Sequence, residues 1–262
     1  MTDCHFLSND ATQSGAGIYS DCNNCSILLN NTRFLSNTAT AGTSAIHFVN
    51  TQSSPSGYSL LSITSPLFTY EQGAAVIYTD EVNEVVFFSG QMVGGQSNYI
   101  ISSSHIDTFN MTDVVFLGVI GAVKITQVTT LVLFDQVHHF DQAMTSNPMV
   151  TISGIPSTNT KVQFNSYAIN NTQAPAALVE LTDVRQLNVQ TWYTTNVDGQ
   201  TPLFSFTMTA DNVVSIIMDD LKVENCSFGP GSAAFAFTQA FTGTPTTIST
   251  WYVAITNLIT QN

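Results

Sequence analysis

Apolar and polar residues alternate along most of this chain in short runs of period two, interrupted every few residues by Ser, Asn, Asp or Gly. That period turns one face of an extended strand inward and the other outward, so it predicts β-strands throughout. No amphipathic stretch of helical period competes. The runs belong to a recurring unit: an alternating apolar segment, an aromatic residue, a polar turn and a short closing strand. The closing strands read Gly17-Ile18-Tyr19, Ala45-Ile46-His47-Phe48, Val76-Ile77-Tyr78, Tyr99-Ile100-Ile101, Val123-Lys124-Ile125, Val150-Thr151-Ile152, Val179-Glu180-Leu181, Phe204-Ser205-Phe206 and Phe235-Ala236-Phe237. In most of them two apolar residues flank one middle position, which in several is His47, Lys124, Thr151, Glu180 or Ser205.

A turn residue follows each closing strand, at Asp21, Asn50, Asp80, Ser104, Gln127, Gly154, Asp183, Asp211 and Ala240. A repeat in the twenties with β patterning and variable loops defines a β-solenoid. The predicted fold is therefore all-β, a right-handed parallel β-helix of about nine coils forming one domain over residues 1–262. With rungs about 4.8 Å apart it would be a rod roughly 40 Å long. The aromatic anchors Phe6, Phe34, Phe68, Phe88, Phe116, Phe134, Phe164, Trp192 and Phe228 are expected to stack as one internal ladder. An antiparallel sandwich or barrel is the alternative, but Asp198-Gly199 is its one clear hairpin turn. The chain opens inside a unit, at Cys4-His5-Phe6-Leu7-Ser8-Asn9, as a fragment or mature piece of a longer protein would.

The first two units read Phe6-Leu7-Ser8-Asn9 before Gly15-Ala16-Gly17-Ile18, and Phe34-Leu35-Ser36-Asn37 before Ser44-Ala45-Ile46. This resembles the FxxN and GGAI repeats of polymorphic outer-membrane proteins and related surface β-helices. The resemblance implies a right-handed parallel β-helix passenger with adhesive or surface functions. It covers about the first 50 residues; farther along, the Asn after the aromatic gives way to Glu71, Gln91, Val119 and Tyr167.

Charge narrows the partners. Five Lys and Arg against 18 Asp and Glu give a net charge of −13, which repels nucleic acid, anionic membranes and acidic polysaccharides. Only 9% of residues are charged, so neutral hydroxyls and amides meet the solvent, an extracellular β-rich profile. No run reaches the roughly 18–20 apolar residues of a membrane span.

Candidate chemistry is sparse. Cys22 and Cys25 can bridge each other across a turn, or one of them can bridge to Cys4, and a lone CxxC whose nearest histidines in sequence are His5 and His47 does not by itself make a metal site. Asp135-Gln136-Val137-His138-His139-Phe140-Asp141 sets two histidines between carboxylates, in what reads as a variable loop, and makes His138 and His139 catalytic candidates. Asp219-Asp220 resembles a glycosidase carboxylate pair, although neighbours on a strand face opposite ways. Asn24, Asn30, Asn110, Asn170 and Asn225 begin N-glycosylation sequons, in about the number that chance supplies in a chain this rich in Asn, Ser and Thr. No cofactor is expected. The sequence thus points to an extracellular or cell-surface structural or adhesive solenoid that associates with itself end to end or with a glycan or host-surface ligand. The alternative is a β-helix that binds or cleaves a neutral polysaccharide, with Tyr167 or Tyr193 stacking on sugar rings.

Overall fold

The strand alternation is broken at fixed places by residues in the left-handed backbone region, and these corners shape every coil. In the stretch from Leu29 to Phe34, Leu29 points inward, Asn30 outward, Asn31 takes φ +49°, and Thr32 and Phe34 point inward again. The same inward, outward, corner, inward sequence recurs with Ser65, Ser89, Asp113, Gln136, Ser166, Thr191, Asp220 and Asn257 at the corner, all with φ between +50° and +60°. Strand register stacks these residues into one column. A second column holds Ser8, Ser36, Tyr70, Gly94, Gly118, Asp141, Asn171, Asn196 and Asn225. Asn, Asp and Ser dominate because short polar side chains tolerate this region and bond locally. At the second column the corner also bonds between coils, since Asn171 Nδ2 donates to Asp141 Oδ1 at 3.1 Å and Asn196 Nδ2 to Asn171 Oδ1 at 3.0 Å.

The computed structural model describes residues 1–50, 58–144, 147–174, 176–199, 202–210, 213–227, 234–240 and 250–261. Its 21 strands form parallel pairs wound as a β-solenoid of about eight turns, with no helix among the described residues. One face shows the winding, as nine strands joined by eight pairings among the described residues. Ile18–Asp21, Thr43–Val49, Gln72–Asp80, the first parts of Gln96–Leu117 and Ile120–Phe140, Val150–Gly154, Val179–Thr182, Phe204–Met208 and Phe235–Gln239 pair successively in parallel. The closing strands read from the sequence are thus one face of the rod.

The expected single aromatic ladder resolves into several columns. Phe6, Phe34 and Phe68 stack at 4.9 Å per step, and register continues that column through Met92, Phe116 and His139. Phe134 and Phe164 belong across the corner, in register with Leu29, Ile63, Phe87 and Met111. Trp192 stands in a third column, stacked 4.7 Å from Tyr167. Phe88 is no anchor: it holds the outward position before the Ser89 corner and is 49% exposed, while Phe87 fills the core. Each corner resets the in–out parity, so aromatics that look equivalent along the sequence fall into different columns. Phe228 and Asp211 lie outside the described residues.

Tight rung spacing also constrains the corners sterically. Gly90 follows the Ser89 corner beneath Pro66, where a Cβ would come within 2.8 Å of the proline Cγ. Only hydrogen fits that inward position.

Candidate functional site

The Asn of the FxxN repeat faces inward, where an unpaired amide would cost free energy. Asn37 meets this by bonding both neighbouring rungs. Its Oδ1 accepts from Asn9 N and Nδ2 at 3.0 and 2.8 Å, and its Nδ2 donates to Phe6 O at 3.1 Å and to Glu71 Oε1 at 2.9 Å. Glu71, the residue that replaces Asn in the third unit, closes this ladder. The following positions of the column are Gly95 and Val119, and Glu71 borders a small cavity of about 10 Å³ lined by Phe68, Val76, Met92, Ile100 and Val119. Burial pushes the Glu71 pKa up to about 7, against the lowering effect of the Asn37 donors.

The His138-His139 segment is not a loop. It lies in the strand Ile120–Phe140, where successive side chains face opposite ways. His138 points outward. His139 is buried in the column below Phe116, with Nδ1 3.1 Å from Gln142 Oε1 and Nε2 2.6 Å from the Tyr167 hydroxyl. Since the amide oxygen only accepts, Nδ1 carries the proton and Nε2 accepts from Tyr167. Burial lowers the His139 pKa to about 3, which keeps this neutral form.

Asp219 and Asp220 are the outward and corner residues of one turn. Asp219 Oδ1 accepts from Thr256 and Asn257 on the next rung, and Asp220 has φ +55°. Asp219 shares a register line with Asp135, Asn165 and Gln190, three rungs from the histidine segment, about 14 Å away at strand spacing. The structure therefore does not bring these acids and histidines together. No group of three or more His, Cys, Asp or Glu suited to a metal occurs among the described residues.

Cys22 and Cys25 are bridged across a turn, their Cα atoms 6.2 Å apart, and Cys4 and Cys226 are free thiols. Among the sequon asparagines, Asn24, Asn30 and Asn225 are exposed, whereas Asn110 and Asn170 are half-buried. Tyr167 cannot stack on a sugar because it is 1% exposed in the core. Tyr193 does lie outside, donating to Glu224 Oε2 at 3.0 Å beneath the Lys222 ammonium.

The most developed surface feature is one that motif reading passed over. The outward residues of the first three closing strands include Tyr19, His47 and Tyr78, which register stacks on the outside of the rod. Their rings are parallel, with centroids 4.8 and 5.0 Å apart. Beside them runs an open trough of about 290 Å³, floored by Gly42, Thr43, Ala74 and Ala75 and bounded by His47, Tyr78, Tyr99 and Ser102. Burial lowers the His47 pKa despite Asp21 and raises that of Tyr78, so the lining is uncharged near neutral pH. The available signal was an aromatic or imidazole ring at the outward position of three consecutive closing strands.

Comparison with protein-family models, with curated proteins and with solved structures finds no match to this chain.

Proposed function

We propose that this chain is an extracellular or cell-surface structural and adhesive module, a rigid β-solenoid that spaces and presents its lateral faces. The observation that supports this most directly is where the polar side chains go: they bond from rung to rung along the rod. Asn9, Asn37 and Glu71 do so inside. Ser59, Asn83, Asp107 and Thr129 do so at another edge, as do Asp183 and Thr209. Such ladders fix register and stiffen a rod. The reading of surface display draws also on the resemblance of Phe6-Leu7-Ser8-Asn9 and Phe34-Leu35-Ser36-Asn37 to polymorphic outer-membrane protein repeats.

End-to-end self-association is part of this reading. Each rung pairs with the next through its backbone in parallel register, and strand edges of this kind are templates for pairing with another copy. Protease treatment of intact source cells should remove the chain, and electron microscopy of native material should show rods or filaments. Recovery of a protease-protected, intracellular chain would overturn the surface assignment.

A further inference from the structure

We infer that the trough beside Tyr78 is a binding site for a neutral pyranose, stacked on the ring face that the outer ladder leaves uncovered. This rests on the adhesive part of the proposed function and gives its ligand a chemical class.

The outward column runs Tyr19, His47, Tyr78, Ser102 and Lys124. Each of the first three rings lies on the next. At the fourth rung the ring is replaced by Ser102, so the side of Tyr78 away from His47 has no ring partner among the described residues. One further planar group at rung spacing would continue the ladder. Tyr99 walls the same trough from the adjoining coil, and the small residues Gly42, Ala74 and Ala75 keep the floor low.

The polar groups that line the trough are hydroxyls and a neutral imidazole: Ser14, Thr43, Ser102, Tyr78 and His47. A concave, largely apolar site with a few hydroxyl partners suits the apolar face and peripheral hydroxyls of a sugar ring. Charge narrows the class further. The Lys124 ammonium already covers Tyr99 at 5.1 Å, which repels a cationic ligand, and the net charge of −13 opposes uronic or sulfated sugars.

The test is calorimetric titration of the full chain with neutral hexose and pentose oligosaccharides, with uronate oligomers and tetramethylammonium as contrasts. Binding of a neutral oligosaccharide, weakened roughly tenfold or more by Tyr78→Ala, is expected. Ser102→Tyr supplies the missing ring from an outward position; it should abolish binding while leaving the circular dichroism spectrum and urea midpoint intact. Binding only to uronates or tetramethylammonium, no binding at all, or neutral-sugar binding unaffected by Ser102→Tyr would overturn the site. Adhesion of the wild-type chain to source-matched cell surfaces, measured in parallel, separates the two levels. Adhesion that survives Ser102→Tyr overturns the trough as ligand site and leaves the adhesive reading standing; absence of adhesion by the wild type overturns the adhesive reading itself.

Discussion

His139 lies flat against Phe116 in the same column, with ring centroids 4.4 Å apart and planes within 10°. An imidazole thus takes an aromatic's place in the core stack, and its two nitrogens are satisfied by Gln142 and Tyr167. His139→Phe keeps the stack but strands the Tyr167 hydroxyl and the Gln142 oxygen, a cost of about 2–4 kcal/mol. Adding Tyr167→Phe should recover part of that loss. Urea unfolding of both singles and the double variant measures the coupling, and strictly additive losses would contradict the hydrogen bond.

Protonation of this histidine sets an acid limit. Its folded pKa is depressed below the ordinary 6.5, so the unfolded state binds the extra proton and stability falls as pH drops below about 6.5. The His139→Phe/Tyr167→Phe double variant should show a flatter decline between pH 6.5 and 4 than the wild type.

Glu71 acts in the opposite sense. Its folded pKa of about 7 lies above the ordinary 4.5, so the folded state holds the proton more tightly and stability decreases as pH rises from about 4.5 to 7. The full shift corresponds to about 3 kcal/mol. Glu71→Gln keeps an acceptor for Asn37 without an ionisable group. Thermal melts at pH 5 and pH 8 should differ less in the variant, with the gain at pH 8.

The corner columns predict an unusual stabilisation. Thr191 is β-branched, yet it has φ +60° at a position where neighbouring coils use Ser166 and Asp220. Left-handed backbone costs such a residue roughly 1–2 kcal/mol. Thr191→Asn or Thr191→Gly should therefore raise the urea midpoint by about 1 kcal/mol equivalent, whereas Thr191→Val should lower it.

Phe87 and Phe88 give the sharpest check of register. Phe87 is 1% exposed and packs 5.8 Å from Phe109, whereas Phe88 faces solvent. Phe87→Ala should cost about 3–5 kcal/mol and Phe88→Ala within about 0.5 kcal/mol. Similar losses at both sites would contradict the corner at Ser89.

The strands and their parallel stacking were legible because period-two alternation and a repeat in the twenties are properties of the chain alone. Parity across corners was not. A residue such as Ser89 or Gln136 absorbs one step of the alternation without any distinctive side chain, which made Phe88 look like an anchor and His138-His139 like a loop. Asp219-Asp220 misled for the same reason, since two consecutive polar residues are what an outward position followed by a corner requires. The trough depends on which rings meet across rungs 24 to 31 residues apart, a relation fixed only by register.

Columns of left-handed corners make the coil a self-contained grammatical unit. In the described coils the same two columns of bends recur, and the spans between them differ in length without disturbing the rungs above and below. A gene encoding such a chain can gain or lose one whole turn by duplication or deletion and still specify a continuous rod. Reach would thereby be tuned by evolution in steps of a single rung, while a site confined to four adjacent turns, such as the trough beside Tyr78, travels intact.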